Sequence, residues 1–366
     1  MRKNHMLGAT PPHGSFLHTK ENIELFRKAK ISIVRMPTCF PFSDEGMKNV
    51  SEKYVAAVDN IKRLALAGIK SFASFEVASM TRYNPDNNKV ENVRNIPIWV
   101  GRFDEDIFYE RIEKGAAFVS DSLKDYVTWW QVGNEPDITT FMGELTHEQN
   151  ARYLKAIAKG IKAGNQNAKC GINLAGVGNM DDVTIRVHKY AVELIGQLYT
   201  DEELFDYIGL DAYFGSWSPG IPKDWTPYID KAVQVSGKPA IINEWGYSTL
   251  QRGIPRTAQD KDRFFNSNVC REKDWDANVP GPGGKWQGID HDESLQADYI
   301  MECVKIFSEH PDVIGNMYFQ WQDQATCWQC GDPDCPAECG WGCIRTDGTP
   351  KPGYYALVEA NNAYFD

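Results

Sequence analysis

No run of about 18 apolar residues occurs in the 366-residue sequence, which excludes a transmembrane helix. There is no solenoid-type repeat and no low-complexity tract. Histidine is scarce, with 7 residues, and no His-x-His pair or His/Asp cluster stands at a strand end. His13 and His18 lie near the first strand without evident companions, so a metal-dependent hydrolase is disfavoured. Positive charge is in the minority: 39 Lys and Arg against 50 Asp and Glu leave a net charge of −11. An acidic surface repels nucleic acid and anionic membranes, whereas a neutral sugar polymer is indifferent to it. Met1 to Met6 lead into an apolar stretch with no signal-peptide core, so no signal peptide is visible. Localisation stays open: exported or periplasmic if a leader has been removed, otherwise cytoplasmic.

What the sequence does contain is alternation. Short apolar runs alternate with amphipathic stretches from end to end, the pattern of βαβ units and a parallel sheet. Eight candidate strands fall near residues 6–9, 31–36, 70–75, 127–132, 169–174, 207–213, 239–244 and 314–320. Helical patterns between them carry end signals. Ser51 precedes the run Tyr54 to Leu66, which Gly68 closes. Thr146 with Gln149 spells a capping box, and Asp292 opens a helix carrying Leu295, Tyr299, Cys303 and Ile306. The expectation is an α/β protein, a single (β/α)8 TIM barrel spanning residues 1–366. A doubly wound open sheet is the alternative, but no glycine-rich phosphate loop follows the first strand.

Three connections are long: 77–104 after strand three, 246–290 after strand seven and 321–352 after strand eight. All follow strand C-termini, the face on which barrels build their sites. Aromatics are plentiful, with 11 Trp, 16 Tyr and 17 Phe. Most belong to a core, and the remainder could line a cleft.

Two constellations carry chemistry. Gln131-Val132-Gly133-Asn134-Glu135-Pro136-Asp137 directly follows strand four. Pro136 cannot continue the ladder, so the chain turns and leaves Glu135 facing the mouth. Ile241-Ile242-Asn243-Glu244-Trp245-Gly246-Tyr247 ends strand seven in the same way. Strands four and seven stand across a barrel from each other. Glycosidic hydrolysis needs two such carboxyl groups, one protonated to release the leaving oxygen and one ionised to attack or stabilise the anomeric centre.

These motifs resemble clan A of the glycoside hydrolases, including the family 5 and family 113 cellulases and mannanases. The resemblance covers the whole chain at low density. It implies a retaining glycosidase with Glu135 as acid/base, Glu244 as nucleophile and Asn134 on the sugar 2-hydroxyl. Arg35, in Ile33-Val34-Arg35-Met36-Pro37, resembles the strand-two arginine that keeps the nucleophile ionised. Tyr213, in Tyr207-Ile208-Gly209-Leu210-Asp211-Ala212-Tyr213, resembles the strand-six tyrosine that donates to the nucleophile. Trp321 resembles the strand-eight tryptophan that floors the cleavage subsite. Residues 347–357 resemble the last-helix signature of such barrels. Asp211 stands where many of these enzymes carry a His, and is expected to be structural. No strand-four His precedes Asn134, since Trp129, Trp130 and Gln131 fill that stretch.

The implied partner is an oligo- or polysaccharide, cleaved by an endo-acting enzyme on β-glucan or β-mannan that is monomeric and requires no cofactor for catalysis. The alternatives are an exo-acting β-glycosidase and a catalytically silent glycan-binding barrel, which would gain nothing from two opposed carboxylates. Cys327, Cys330, Cys335, Cys339 and Cys343 crowd the 321–352 loop. They read as disulfides, a structural zinc site or free thiols. Cys39, Cys170, Cys270 and Cys303 are scattered, and most are expected to be buried thiols.

Overall fold

The computed structural model describes residues 5–12, 19–84, 89–175, 189–200, 203–216, 220–250, 292–327, 333 and 338–365. The strands are β1 (Met6–Thr10), β2 (Ile33–Thr38), β3 (Lys70–Phe75), β4 (Ser79–Asn84), β5 (Lys89–Arg94), β6 (Val127–Val132), β7 (Lys169–Gly171), β8 (Asn173–Leu174), β9 (Ile208–Ala212), β10 (Ala240–Trp245) and β11 (Val313–Phe319). Nine of them form one sheet, in the order β7-β6-β3-β2-β1-β11-β10-β9-β8. Every neighbouring pair in it is parallel.

β7 and β8 are the two halves of one barrel strand, broken at Ile172. The first half pairs with β6 and the second with β9, which brings the sheet round to a (β/α)8 TIM barrel. All eight expected strands are present, with ends moved by one or two residues. The alternation of side chains sorts the core into two bodies. Ile33, Phe72, Tyr207, Ile241 and Met317 fill the lower barrel interior. A larger cluster, including Phe26, Trp130, Ile157, Trp225 and Tyr299, lies between sheet and helices. Close packing at the strands admits no side chain at Gly8, where an added Cβ would lie 2.0 Å from Met317 Sδ.

The helix ends follow their signals. Ser51 Oγ accepts from Tyr54 N, and Gly68 takes φ +81 after the helix Glu52–Leu66. Thr146 and Gln149 close a reciprocal capping box on the helix His147–Gly164. Asp292 caps the helix Glu293–Glu309 by accepting from Leu295 N at 2.7 Å. The connection 77–104 is more ordered than a bare loop, because β4 and β5 pair there as an antiparallel hairpin. The stretch 251–291, most of the connection after strand seven, lies outside the described residues, as do His13, His18 and Cys270. Among the described residues no helix is long and apolar enough to cross a membrane.

Candidate active site

Glu135 is presented by a backbone that most residues avoid. β6 ends at Val132, Gly133 follows at φ +75 and Glu135 sits at φ +36. A left-handed, non-glycine residue is uncommon and has to be held by its surroundings. The holder is Asn173 of β8, whose Oδ1 accepts the Glu135 N–H at 3.1 Å. The carbonyl of Glu135 accepts from Ile138 N at 3.2 Å and starts the turn away from the mouth.

Glu244 reaches the mouth by an irregularity. Ile241 and, by alternation, Asn243 face the barrel interior, so Glu244 should face outward. The register between β10 and β9 shifts between Ile242 and Glu244, and between β10 and β11 over the same stretch. A bulge of this kind re-aims a side chain. It turns Glu244 into the site, where it is 8% exposed. There the Arg35 guanidinium donates through Nη1 to Glu244 Oε1, and the Tyr213 hydroxyl donates to Oε2. The three residues that the sequence singled out are thus in direct contact.

Beneath this pair lies a polar layer, of which the sequence had singled out only Asn134 as a site residue. Asn134 Oδ1 accepts from Arg35 Nη2 at 2.7 Å, Gln131 Nε2 at 3.1 Å and Asn173 Nδ2 at 3.2 Å. With its oxygen so occupied, the Asn134 amide nitrogen is the end available to a ligand. Gln131 Oε1 in turn accepts from Asn243 Nδ2 at 2.8 Å across the barrel. Asn173 Nδ2 also donates to Asp211 Oδ2. A signal was there to be read. Gln131, Asn173, Asp211 and Asn243 are polar residues set inside apolar strand runs, and a polar group is retained in such a place only with partners.

The charges are unequal in their settings. Glu135 is held well above the ordinary carboxylate range, first by burial and then by the negative charges of Glu244 and Asp137. Burial likewise keeps the Tyr213 hydroxyl protonated far above its usual range, with Glu244 adding to the effect. Burial works against the charge on Arg35, but Glu244 and Asp211 outweigh it and push its pKa up. One carboxylate oxygen from each of Glu135, Asp211 and Glu244 lies within 4.8 Å of the others.

Two expectations need correction. Trp321 does not floor the site. Strand β11 ends at Phe319, so alternation no longer governs the residues beyond it. The Trp321 indole turns outward, packs at a tilt against Phe26 at 4.4 Å and donates through Nε1 to Asn22 Oδ1 at 3.0 Å. It is a core residue between the first and last helices. The rings of Phe319 and Trp341 stand beside Tyr213 instead, at 5.4 and 4.8 Å. The second correction concerns the cysteine loop. Cys343 is a free buried thiol donating to Trp321 O at 3.3 Å, with burial pushing its pKa up. Cys330 and Cys335 lie outside the described residues. Cys39, Cys170 and Cys303 are buried thiols.

Comparison with known proteins gives similarity of fold. No protein-family model matches the chain, and no curated protein matches it. Among solved structures, the chain is similar to the family 53 glycoside hydrolase catalytic domain of Ignisphaera aggregans, with a TM-score of 0.65 and 15% identity over 98% of this chain and 97% of that one. It is also similar to a thermostable mutant of a xylanase from Cellvibrio japonicus, with a TM-score of 0.63 and 13% identity over 97% of both chains. A family 39 glycoside hydrolase from Bacteroides cellulosilyticus aligns with a TM-score of 0.61 and 14% identity over 98% of this chain, which spans 64% of that longer chain. At these identities the likeness is one of architecture: the chain has the TIM barrel on which these glycoside hydrolases are built.

Proposed function

We propose that the chain is a retaining glycoside hydrolase acting on a β-linked glycan, with Glu135 as general acid/base and Glu244 as nucleophile. The observation that carries this reading is the approach of two carboxyl groups in opposite settings. Their nearest oxygens fall within 4.8 Å, which accommodates the retaining separation of about 5–5.5 Å. One group is surrounded by donors, the other by burial and negative charge. That is the division of labour a double displacement requires.

The steps follow from the geometry. Glu244, ionised between Arg35 and Tyr213, attacks the anomeric carbon while Glu135 protonates the departing oxygen. The resulting glycosyl ester is opened by water, whose proton returns to Glu135, and the two inversions restore the starting configuration. The amide nitrogen of Asn134 would meet the sugar 2-hydroxyl. No cofactor enters these steps. Elements of the barrel run from Met6 to Tyr364, so the chain is taken as one catalytic unit. Endo-attack on β-glucan or β-mannan is our reading of the substrate, and the solved neighbours include a xylanase. Screening aryl β-glycosides and soluble β-glucans and β-mannans with wild type and Glu244→Ala tests it. Turnover confined to the wild type is the expected result, and equal activity in both proteins would refute it.

A further inference from the structure

Asp211 belongs to the same site yet has no part in the steps just described. It is fully buried on β9, directly opposite Glu244 in the β9–β10 register. Its Oδ2 accepts from Asn173 Nδ2, while Oδ1 has no hydrogen-bond partner among the described residues. An ionised carboxylate leaves four lone-pair sites to satisfy, and a buried anion with an orphaned oxygen is strongly disfavoured.

The charge count around it points the same way. The groups that face it are Glu244 on β10, Glu135 after β6, Arg35 on β2, Asn173 on β8 and Tyr213 just beyond its own strand. Among the described residues, three carboxyl groups share a single cation. Arg35 already donates to Glu244, and Tyr213 donates there as well, so the one compensated negative charge resides on Glu244. Among the described residues nothing is left to neutralise a second anion.

We propose that Asp211 is a neutral positioning residue, carrying a proton through the working range and fixing, by way of Asn173, the backbone on which Glu135 is presented. Asn173 is the link. Its Nδ2 donates to Asp211 and to Asn134 Oδ1, and this leaves Oδ1 aimed at the Glu135 N–H. Were the Asn173 amide to flip, its NH2 would face the Glu135 N–H and its oxygen would face Asp211 Oδ2. Burial, followed by the charges of Glu244 and Glu135, holds the Asp211 carboxyl well above its ordinary range, in agreement with the geometry.

The catalytic half of this proposal rests on the glycosidase reading; the proton does not. Two measurements separate them. In the first, kcat/KM is followed across aryl β-glycosides of decreasing leaving-group ability. Asp211→Ala should lose about 10- to 100-fold on poor leaving groups, which need the Glu135 proton, and no more than about 3-fold on a dinitrophenyl glycoside. Asp211→Asn, the isostere of the protonated acid, should recover most of that loss. A loss independent of the leaving group, or no recovery with Asn, would overturn the positioning role. In the second, infrared spectra at neutral pH are taken in the Glu135→Gln background with and without Asp211→Asn. A protonated-carboxyl stretch should disappear with Asp211, and loss of only carboxylate bands would show that it is ionised. A wild type inactive on every glycoside would sink the glycosidase reading, while the infrared result would still decide the proton.

Discussion

Arg35 and Glu244 form an ion pair across the barrel mouth, each side chain about nine-tenths buried, although 209 positions separate them in the chain. The second nitrogen of the same guanidinium holds Asn134 at 2.7 Å. One planar fork therefore joins strand β2 to the ends of β6 and β10, a task suited to arginine and poorly to lysine. Arg35→Lys is expected to lower kcat/KM by at least about tenfold, since one of two directed bonds is lost. Kinetics on an aryl glycoside check this, and full activity in the lysine variant would remove Arg35 from the site's machinery.

Glu244→Ala should lose about 10⁴-fold or more of kcat on all substrates, because no covalent intermediate can form. Glu135→Ala is different. A dinitrophenolate leaving group needs no proton, so that variant should still be glycosylated and then stall. Added azide should restart it and give a β-glycosyl azide. An α-azide from Glu135→Ala, or β-azide rescue in Glu244→Ala, would mean that the two roles are reversed.

The pH dependence has a definite sign. In its proposed role Glu135 can act as an acid only while protonated, and burial and neighbouring charge raise its pKa. The alkaline limb of kcat/KM should therefore lie well above the ordinary carboxylate range and vanish from the profile of Glu135→Gln. Stability runs the same way. A carboxyl with a raised folded-state pKa stabilises the fold below its unfolded pKa, and this contribution is lost as pH rises through the folded value. At neutral pH Glu135→Gln is then expected to be more stable than wild type, by about 0.5–2 kcal/mol. Denaturant titrations at two pH values measure the difference, which should shrink at acid pH.

Tyr213→Phe removes one of the two donors on Glu244 and leaves the ring against Phe319 and Trp341. A hydrogen bond to a charged group is worth about 1.5–3 kcal/mol, so kcat/KM should fall about 10- to 150-fold with stability little altered. Loss of folding instead would make Tyr213 a packing residue.

Trp321→Ala should have the opposite profile. Its indole fills the space beside Phe26 and Tyr354, and truncation there should cost about 3–5 kcal/mol of stability while leaving KM per folded molecule unchanged. Phe319→Ala is expected to raise KM with the smaller stability loss. Thermal melts and saturation kinetics on both variants distinguish the two.

The barrel was legible because each strand is a short apolar run with a clear end, and Glu135 and Glu244 because those ends carry carboxylates. What escaped the sequence are departures from alternation. A regular β10 would point Glu244 away from the site, and only the bulge after Ile242 turns it inward. Trp321 misled because its residue type suggested a site role two residues past the end of the strand. Asn173 sits in a strand so short and broken that its contact with Glu135 depends on closure of the sheet. The β4–β5 hairpin had a local signal that went unused, alternating side chains on both flanks of Asn84-Pro85-Asp86-Asn87-Asn88.

The plug of Ile33, Phe72, Tyr207, Ile241 and Met317 packs the barrel beneath the site. An apolar floor is a poor path for water, so on the proposed reading Glu135 exchanges its proton through the mouth. A glycan laid across the mouth closes that route too. On that reading each cycle begins with the acid already loaded, and the proton given to the leaving oxygen returns with the water that enters once the first product has gone.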